Sequence, residues 1–428
     1  MSIHDQTGQA GTITEGWRAL ELFTNRRKEI RLFASYLNDD PRRESILCFH
    51  GDGGNGKSLL LRYLRERFCK RVDPSLWQQL RALSDQDLAA GLEKAATERP
   101  VPSALVDFGM QPRGEDRPQE GFSALLMLHR ELSSHGLHFP LFDYGCVWYL
   151  HKTEQLTGEK LASLFPDEEA TFLSALLDVG SQSAWGSLVT TIFKVAGKWL
   201  GKTRKIRGLQ QKALLFLKER KIDAALVEAI QRMDAERELM DNLPRFFAAD
   251  LNAAMQVEGA PPRVVLLFDT HEAFWGERRA LSRGAYFLAD EWLRCLLGSL
   301  ELNRGIVAVV AGREAPRWAE AERFPIPSQF LDVQLIGHLS EADGDQYLLR
   351  AGVADPGMRR AVLDFAKVGP DQVHPLYLGF CADVLLAAAR RGTPLGPEDF
   401  AKVPATALKG RELLGRLLRY VDSEVDCA

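Results

Sequence analysis

Five short apolar runs punctuate the chain, at 45–50, 103–108, 264–269, 306–311 and 330–335, each bounded by Gly, Pro or charged residues. Runs this short and this apolar predict strands covered on both faces, as in a parallel sheet. Longer segments of helical period separate them, and that alternation predicts an α/β domain. About 150 residues lie between the second and third runs, far more than one crossover helix requires. From 151 to 257 the text is almost wholly helical in character and poor in proline, so a large helical insertion is expected there. After Gly337 the strand signals stop, and helices are expected at 341–351, 357–366, 375–390 and 407–420. The chain then divides into a tail (1–20), an α/β core in two parts (21–150 and 258–338), the insertion (151–257), a C-terminal helical module (339–405) and the start of a further domain (406–428).

Composition narrows the partners. With 46% hydrophobic residues, the 428-residue chain can bury more than one core. Its net charge of -4 provides no overall field for nucleic acid or an anionic membrane. The six cysteines lie far apart with no C-x-x-C pair, which predicts a reduced, cytoplasmic protein without structural zinc. The first twenty residues lack the features of a secretory signal. The most apolar later stretch, 185–200, carries Lys194 and Lys198 and is shorter than the ~20 residues that cross a bilayer, so no membrane span is expected. Lys198, Lys202, Arg204, Lys205 and Arg207 form a basic run, read as a solvated face, with phosphate-backbone binding as the alternative.

Candidate chemistry concentrates at Gly51-Asp52-Gly53-Gly54-Asn55-Gly56-Lys57-Ser58, which fits G-x-x-x-x-G-K-[ST]. It follows an apolar strand and precedes a helix that continues from Leu59. A chance match in a chain of this composition has a probability of roughly one or two per cent. Glycines let the backbone turn so that successive N–H groups and a helix N-terminus face phosphate oxygens. Lys57 is expected to reach the β- and γ-phosphates of ATP or ADP, and the Ser58 hydroxyl to ligate Mg²⁺.

A metal carboxylate is expected from Asp269, which closes the apolar run 264–268 and whose buried charge calls for a cation. Glu272, three residues on, could aim a second carboxylate at the γ-phosphate and orient water. Arg313, just past the fourth run, could sense that phosphate through charge-assisted bonds, the alternative being a surface pair with Glu314. His50 and His271 flank the two motifs and are assigned no role.

Taken in order, these motifs resemble the STAND class of signal-transduction NTPases within the AAA-related P-loop group. Phe23-Thr24-Asn25-Arg26-Arg27-Lys28-Glu29-Ile30 is similar to the class's F-x-G-R-x-x-E-L segment, with Asn25 in place of Gly. The resemblance implies that Phe23 and Arg26 lie near the adenine. Asp269-Thr270-His271-Glu272 resembles the Asp-Thr-x-Glu form of the Walker B segment, and Arg313 the sensor arginine. Val373-His374-Pro375 resembles the G-x-P motif, which implies that Pro375 packs on the adenine. The resemblance further implies an ATP-hydrolysing switch, ADP-bound at rest and self-associating with ATP, in signalling or defence, triggered by an unknown protein or ligand. A winged helix would begin near 411–420, so the chain is expected to be a fragment of a longer protein. The competing functions are a AAA-type ATPase acting on nucleic acid and a nucleotide-dependent scaffold that does not hydrolyse.

Overall fold

The computed structural model describes residues 26–95, 99–111, 117–153, 229–230, 232–275, 287–393 and 395–401. Phe23, the tail 1–20, the apolar stretch 185–200, the basic run 198–207 and the closing segment 406–428 lie outside the described residues.

Each of the five apolar runs is a strand, within one residue at either end. They are β1 (Ile46–His50), β2 (Ser103–Asp107), β3 (Val264–Asp269), β4 (Ile306–Gly312) and β5 (Leu331–Leu335). They form one sheet in the order β2-β3-β4-β1-β5, with every pair parallel. All carboxyl ends therefore share one edge, and β4 lies between β1 and β3 there. Winding reverses beside β1, which has β4 on one side and β5 on the other; such a reversal opens a crevice beyond the strand ends.

Period-2 alternation divides the sheet's side chains between two cores. Val265, Leu267, Val309 and Leu47 join one cluster, under α1 (Arg27–Asn38), α2 (Lys57–Tyr63), α3 (Pro74–Arg81) and α4 (Asp85–Lys94). Val264, Leu266, Phe268 and Val310 join the other, under α5 (Gly121–Ser133), α6 (Pro140–Lys152), α7 (Met240–Ala254) and α8 (Glu291–Ser299). Because β3 and β4 are buried at every residue, they read as unbroken apolar runs. The edge strand β5 leaves Val333 and Leu335 exposed. Within the range expected to be insertion, α7 contributes Leu243, Phe247 and Leu251 to the core beneath the sheet. Residues 154–228 of that range lie outside the described residues.

Beyond the sheet, α9 (Glu341–Arg350), α10 (Pro356–Ala366) and α11 (Pro375–Arg390) enclose a third core that includes Leu348, Val362, Leu378 and Cys381. Local signals start two of these helices. The Ser340 hydroxyl accepts the Asp343 N–H, and Asp355 accepts the Met358 N–H with Pro356 at the first helical position. The expectation that strands end at Gly337 needs correction, since Lys367–Gly369 and Gln372–Val373 pair as a small antiparallel hairpin. Strands of two or three residues carry too little periodicity to announce themselves. Among the described residues no helix is long and apolar enough to cross a membrane.

Candidate functional site

The glycine-rich loop leaves the end of β1 and enters α2 at Lys57. It is clamped from both neighbouring strands: the Gly51 N–H donates to the Arg313 carbonyl (3.2 Å), and the Ile336 N–H donates to the His50 carbonyl (2.7 Å). Gly51 has φ 146° and Gly54 has φ 83°, in the region that side chains rarely adopt. A Cβ at Gly51 would collide with the Ile336 carbonyl oxygen, and one at Gly54 would lie 2.7 Å from His374 Cε1 and 2.9 Å from Leu376 Cβ.

Asn55 and Arg26 brace the loop from the β5 side. The Asn55 amide donates to the Ile336 carbonyl (3.0 Å). The Arg26 guanidinium donates to the carbonyls of Asn55 (2.9 Å) and Gly337 (2.7 Å), and burial lowers its proton affinity. The Asn55 side-chain oxygen is buried without a hydrogen-bond partner among the described residues.

Lys57 opens α2 and curls back into the loop, its ammonium donating to the Gly51 (2.7 Å) and Asp52 (2.9 Å) carbonyls. Burial lowers its proton affinity, against the pull of Glu272 and Asp269. Ser58 is exposed and Leu59 half-buried. Burial pushes the Asp269 carboxyl up to about 6, and the neighbouring Ser58 hydroxyl opposes that shift. Asp269 also accepts the Thr270 N–H at 2.8 Å.

Asp107, in register with Asp269 at the end of β2, adds a second negative charge that further raises the proton affinity of Asp269. The Thr270 hydroxyl donates to Asp107 at 2.9 Å, and Arg62 of α2 lies 3.6 Å from the same carboxylate. Sequence reasoning missed Asp107, although it closes an apolar run just as Asp269 does.

On the β4 side, Glu272 accepts the Arg313 backbone N–H (3.0 Å), and its other oxygen lies 3.0 Å from Arg313 Nε. The Arg313 guanidinium lies 3.4 Å from the position of a Cβ on Gly53. It therefore stands over the loop, paired with Glu272. The helical module meets the same loop. His374, just before α11, stacks on Tyr377 at 4.5 Å and lies 5.3 Å from the ring of His338. Burial lowers the proton affinity of His374. His338 stands 3.9 Å from Asp52. Pro375 is the first residue of α11, and the side chains on either side of it, His374 and Leu376, are the ones that face Gly54. No local signal ties His374 to the glycine loop, because the two lie more than 300 residues apart in sequence.

Of the two histidines given no role, His50 is half-buried, and burial and Lys57 lower its proton affinity. His271 is fully buried and meets Asp290 at 3.0 Å. The edge thus gathers Gly51 to Ser58, Arg26, Asp269, Glu272 and Arg313. A buried ammonium at a helix N-terminus suits an anion, and the hydroxyl beside a carboxylate suits a cation next to it. No family model, curated protein or solved structure matches this chain, so the functional reading rests on the geometry of this edge.

Proposed function

We propose that the chain is a P-loop ATPase that binds ATP with Mg²⁺ at residues 51–58 and works as a nucleotide-gated switch of the STAND kind. The observation that carries the reading is the Lys57 ammonium, buried at a helix N-terminus and turned onto the loop's own carbonyls, with the Asp269 and Glu272 carboxylates near enough to act on it.

The residues present fit both groups. Lys57 is a buried ammonium whose hydrogen bonds go to neutral carbonyls, so anionic phosphate oxygens are better partners. Asp269 is a buried carboxylate with a second carboxylate beside it, an arrangement that a divalent cation would relieve. Mg²⁺, when bound, supplies charge neutralisation to the phosphates. Ser58 and Asp269 are the residues that would hold it.

Glu272 is the candidate to orient the attacking water, and it is tied to Arg313. A γ-phosphate would compete for Arg313, since a guanidinium binds phosphate as well as carboxylate. Release from Arg313 frees Glu272 to accept a proton from water. ATP and ADP then differ in whether this pair is broken, which is the differential binding energy a switch requires. The same pair is also the one observation that favours a non-hydrolysing scaffold, because it occupies Glu272.

Light scattering of the chain with Mg-ADP and then with a non-hydrolysable ATP analogue tests the switch. A mass increase with the ATP form alone, lost in Lys57→Ala, is the expected result; equal mass in both states removes nucleotide-gated self-association. For hydrolysis, Glu272→Gln is expected to keep ATP affinity and lose steady turnover. A wild type without turnover and a variant identical to it would leave the scaffold standing.

A further inference from the structure

We infer that Asp290 is a positioning residue that holds Glu272 and Arg313 in register by tying together the loops that carry them. This deepens the hydrolysis reading above and rests on it in its turnover arm only.

Asp290 stands at the N-terminus of α8, where an aspartate ordinarily accepts an N–H of its own helix. Here its side chain makes no such cap bond. It is fully buried and meets three side chains, one from its own helix and two from other segments of the chain. His271 Nε2 lies 3.0 Å from one carboxylate oxygen, and the Trp318 indole N–H donates to the same oxygen at 2.9 Å. Arg294, one helical turn into α8, pairs with the other oxygen and also donates to the Phe287 carbonyl at 2.7 Å. Arg294 supplies the compensating charge that a fully buried carboxylate needs.

Two of these partners lead directly to the site. His271 immediately precedes Glu272, and Trp318 follows Arg313 by five residues. One carboxylate oxygen thus anchors the segment after β3 and the segment after β4. The two segments are packed closely between anchor and site. A Cβ on Gly312 would lie only 3.1 Å from His271 Cβ, and the His271 ring meets Trp318 at 5.2 Å and Trp275 at 4.6 Å, both edge-on. A loosened anchor therefore shifts Glu272 relative to Arg313, whereas the far part of the glycine loop, held at Asn55 by Arg26 and Ile336, stays in place.

The test compares wild type with Asp290→Asn, with the milder Trp318→Phe, which keeps the ring and removes only the N–H donor, and with Leu128→Ala as a control for lost stability in the same core. In steady-state kinetics, Asp290→Asn is expected to lower kcat about tenfold while the Kd for ATP stays within about twofold, Trp318→Phe to do the same to a smaller degree, and Leu128→Ala to change neither. Amide hydrogen exchange on the nucleotide-free chain provides a readout independent of hydrolysis. Segments 270–275 and 312–318 are expected to exchange faster together in Asp290→Asn and Trp318→Phe, with 54–58 unchanged. Should wild type show no turnover, the hydrolysis reading fails and the exchange data alone judge the anchor. Unchanged kcat in an active enzyme, or exchange that rises only around 287–294 or uniformly as in Leu128→Ala, overturns it. If Asp290→Asn does not fold, Trp318→Phe carries the same comparison.

Discussion

At the residue scale, the most consequential group is Asp269, whose carboxyl burial lifts from an ordinary 3.8 to about 6. An acid with a raised folded-state value favours the fold when protonated. That contribution is complete below the unfolded value and is lost as pH rises through about 6. From this group alone, stability should fall by about 3 kcal/mol between roughly pH 4 and pH 7. Asp269→Asn removes the ionisation, so its denaturation midpoint should lose the downward step that wild type shows across that interval. Chemical denaturation at several pH values measures this directly. A variant with the same pH profile as wild type would mean that the carboxylate ionises at its ordinary value. In the wild type, Mg-ATP should then stabilise more strongly above about pH 6 than below it, since the cation meets a charged carboxylate only there.

At the scale of elements, the contact between the glycine loop and the start of α11 is specific enough to be tested. Gly54 has φ 83° and faces His374 and Leu376. Gly54→Ala carries a backbone cost of about 1–2 kcal/mol and adds a steric conflict with His374. His374→Ala removes the ring. The double variant should therefore be less destabilised than the sum of the single variants, by more than about 0.5 kcal/mol in urea denaturation. Strict additivity would place the ring away from the loop. This element pair also marks the limit of what the sequence discloses. The five strands are legible because each is a compact apolar run such as Val264 to Phe268, and the loop because its glycines and Lys57 occur at a fixed spacing. Asp269 is legible as a charge at the end of such a run, and Asp107 could have been found by the same rule. The contact of His374 with Gly54, the bracing of Asn55 by Arg26, and the ties of Asp290 to His271 and Trp318 leave no local trace. They join residues distant in sequence, and only packing brings them together.

On the scale of the whole molecule, three hydrophobic cores among the described residues are arranged around the site. Two lie on the faces of the sheet and share its strands, so they should unfold together. The third, among α9, α10 and α11, contains none of the sheet's residues. It meets the α/β core through the chain at Gly337, which Arg26 bonds, and through His374 and Leu376 on the loop. Links of this kind are small beside a core such as that containing Phe139, Phe142 and Phe247. The module should therefore be the less stable unit in the nucleotide-free chain, and scanning calorimetry should resolve it as a separate transition at lower temperature. A nucleotide bound at 51–58 lies at the junction and stabilises whatever must be folded to bind it, by about 2.7 kcal/mol at a hundredfold excess over Kd. If His374 and its helix contribute to binding, Mg-ATP should raise the first transition more than the second and bring the two together. If the sheet domain alone binds, only the second transition should rise and the gap should widen. The direction in which that gap moves therefore decides whether the module is part of the nucleotide site or only its neighbour, and a switch driven by nucleotide requires the former.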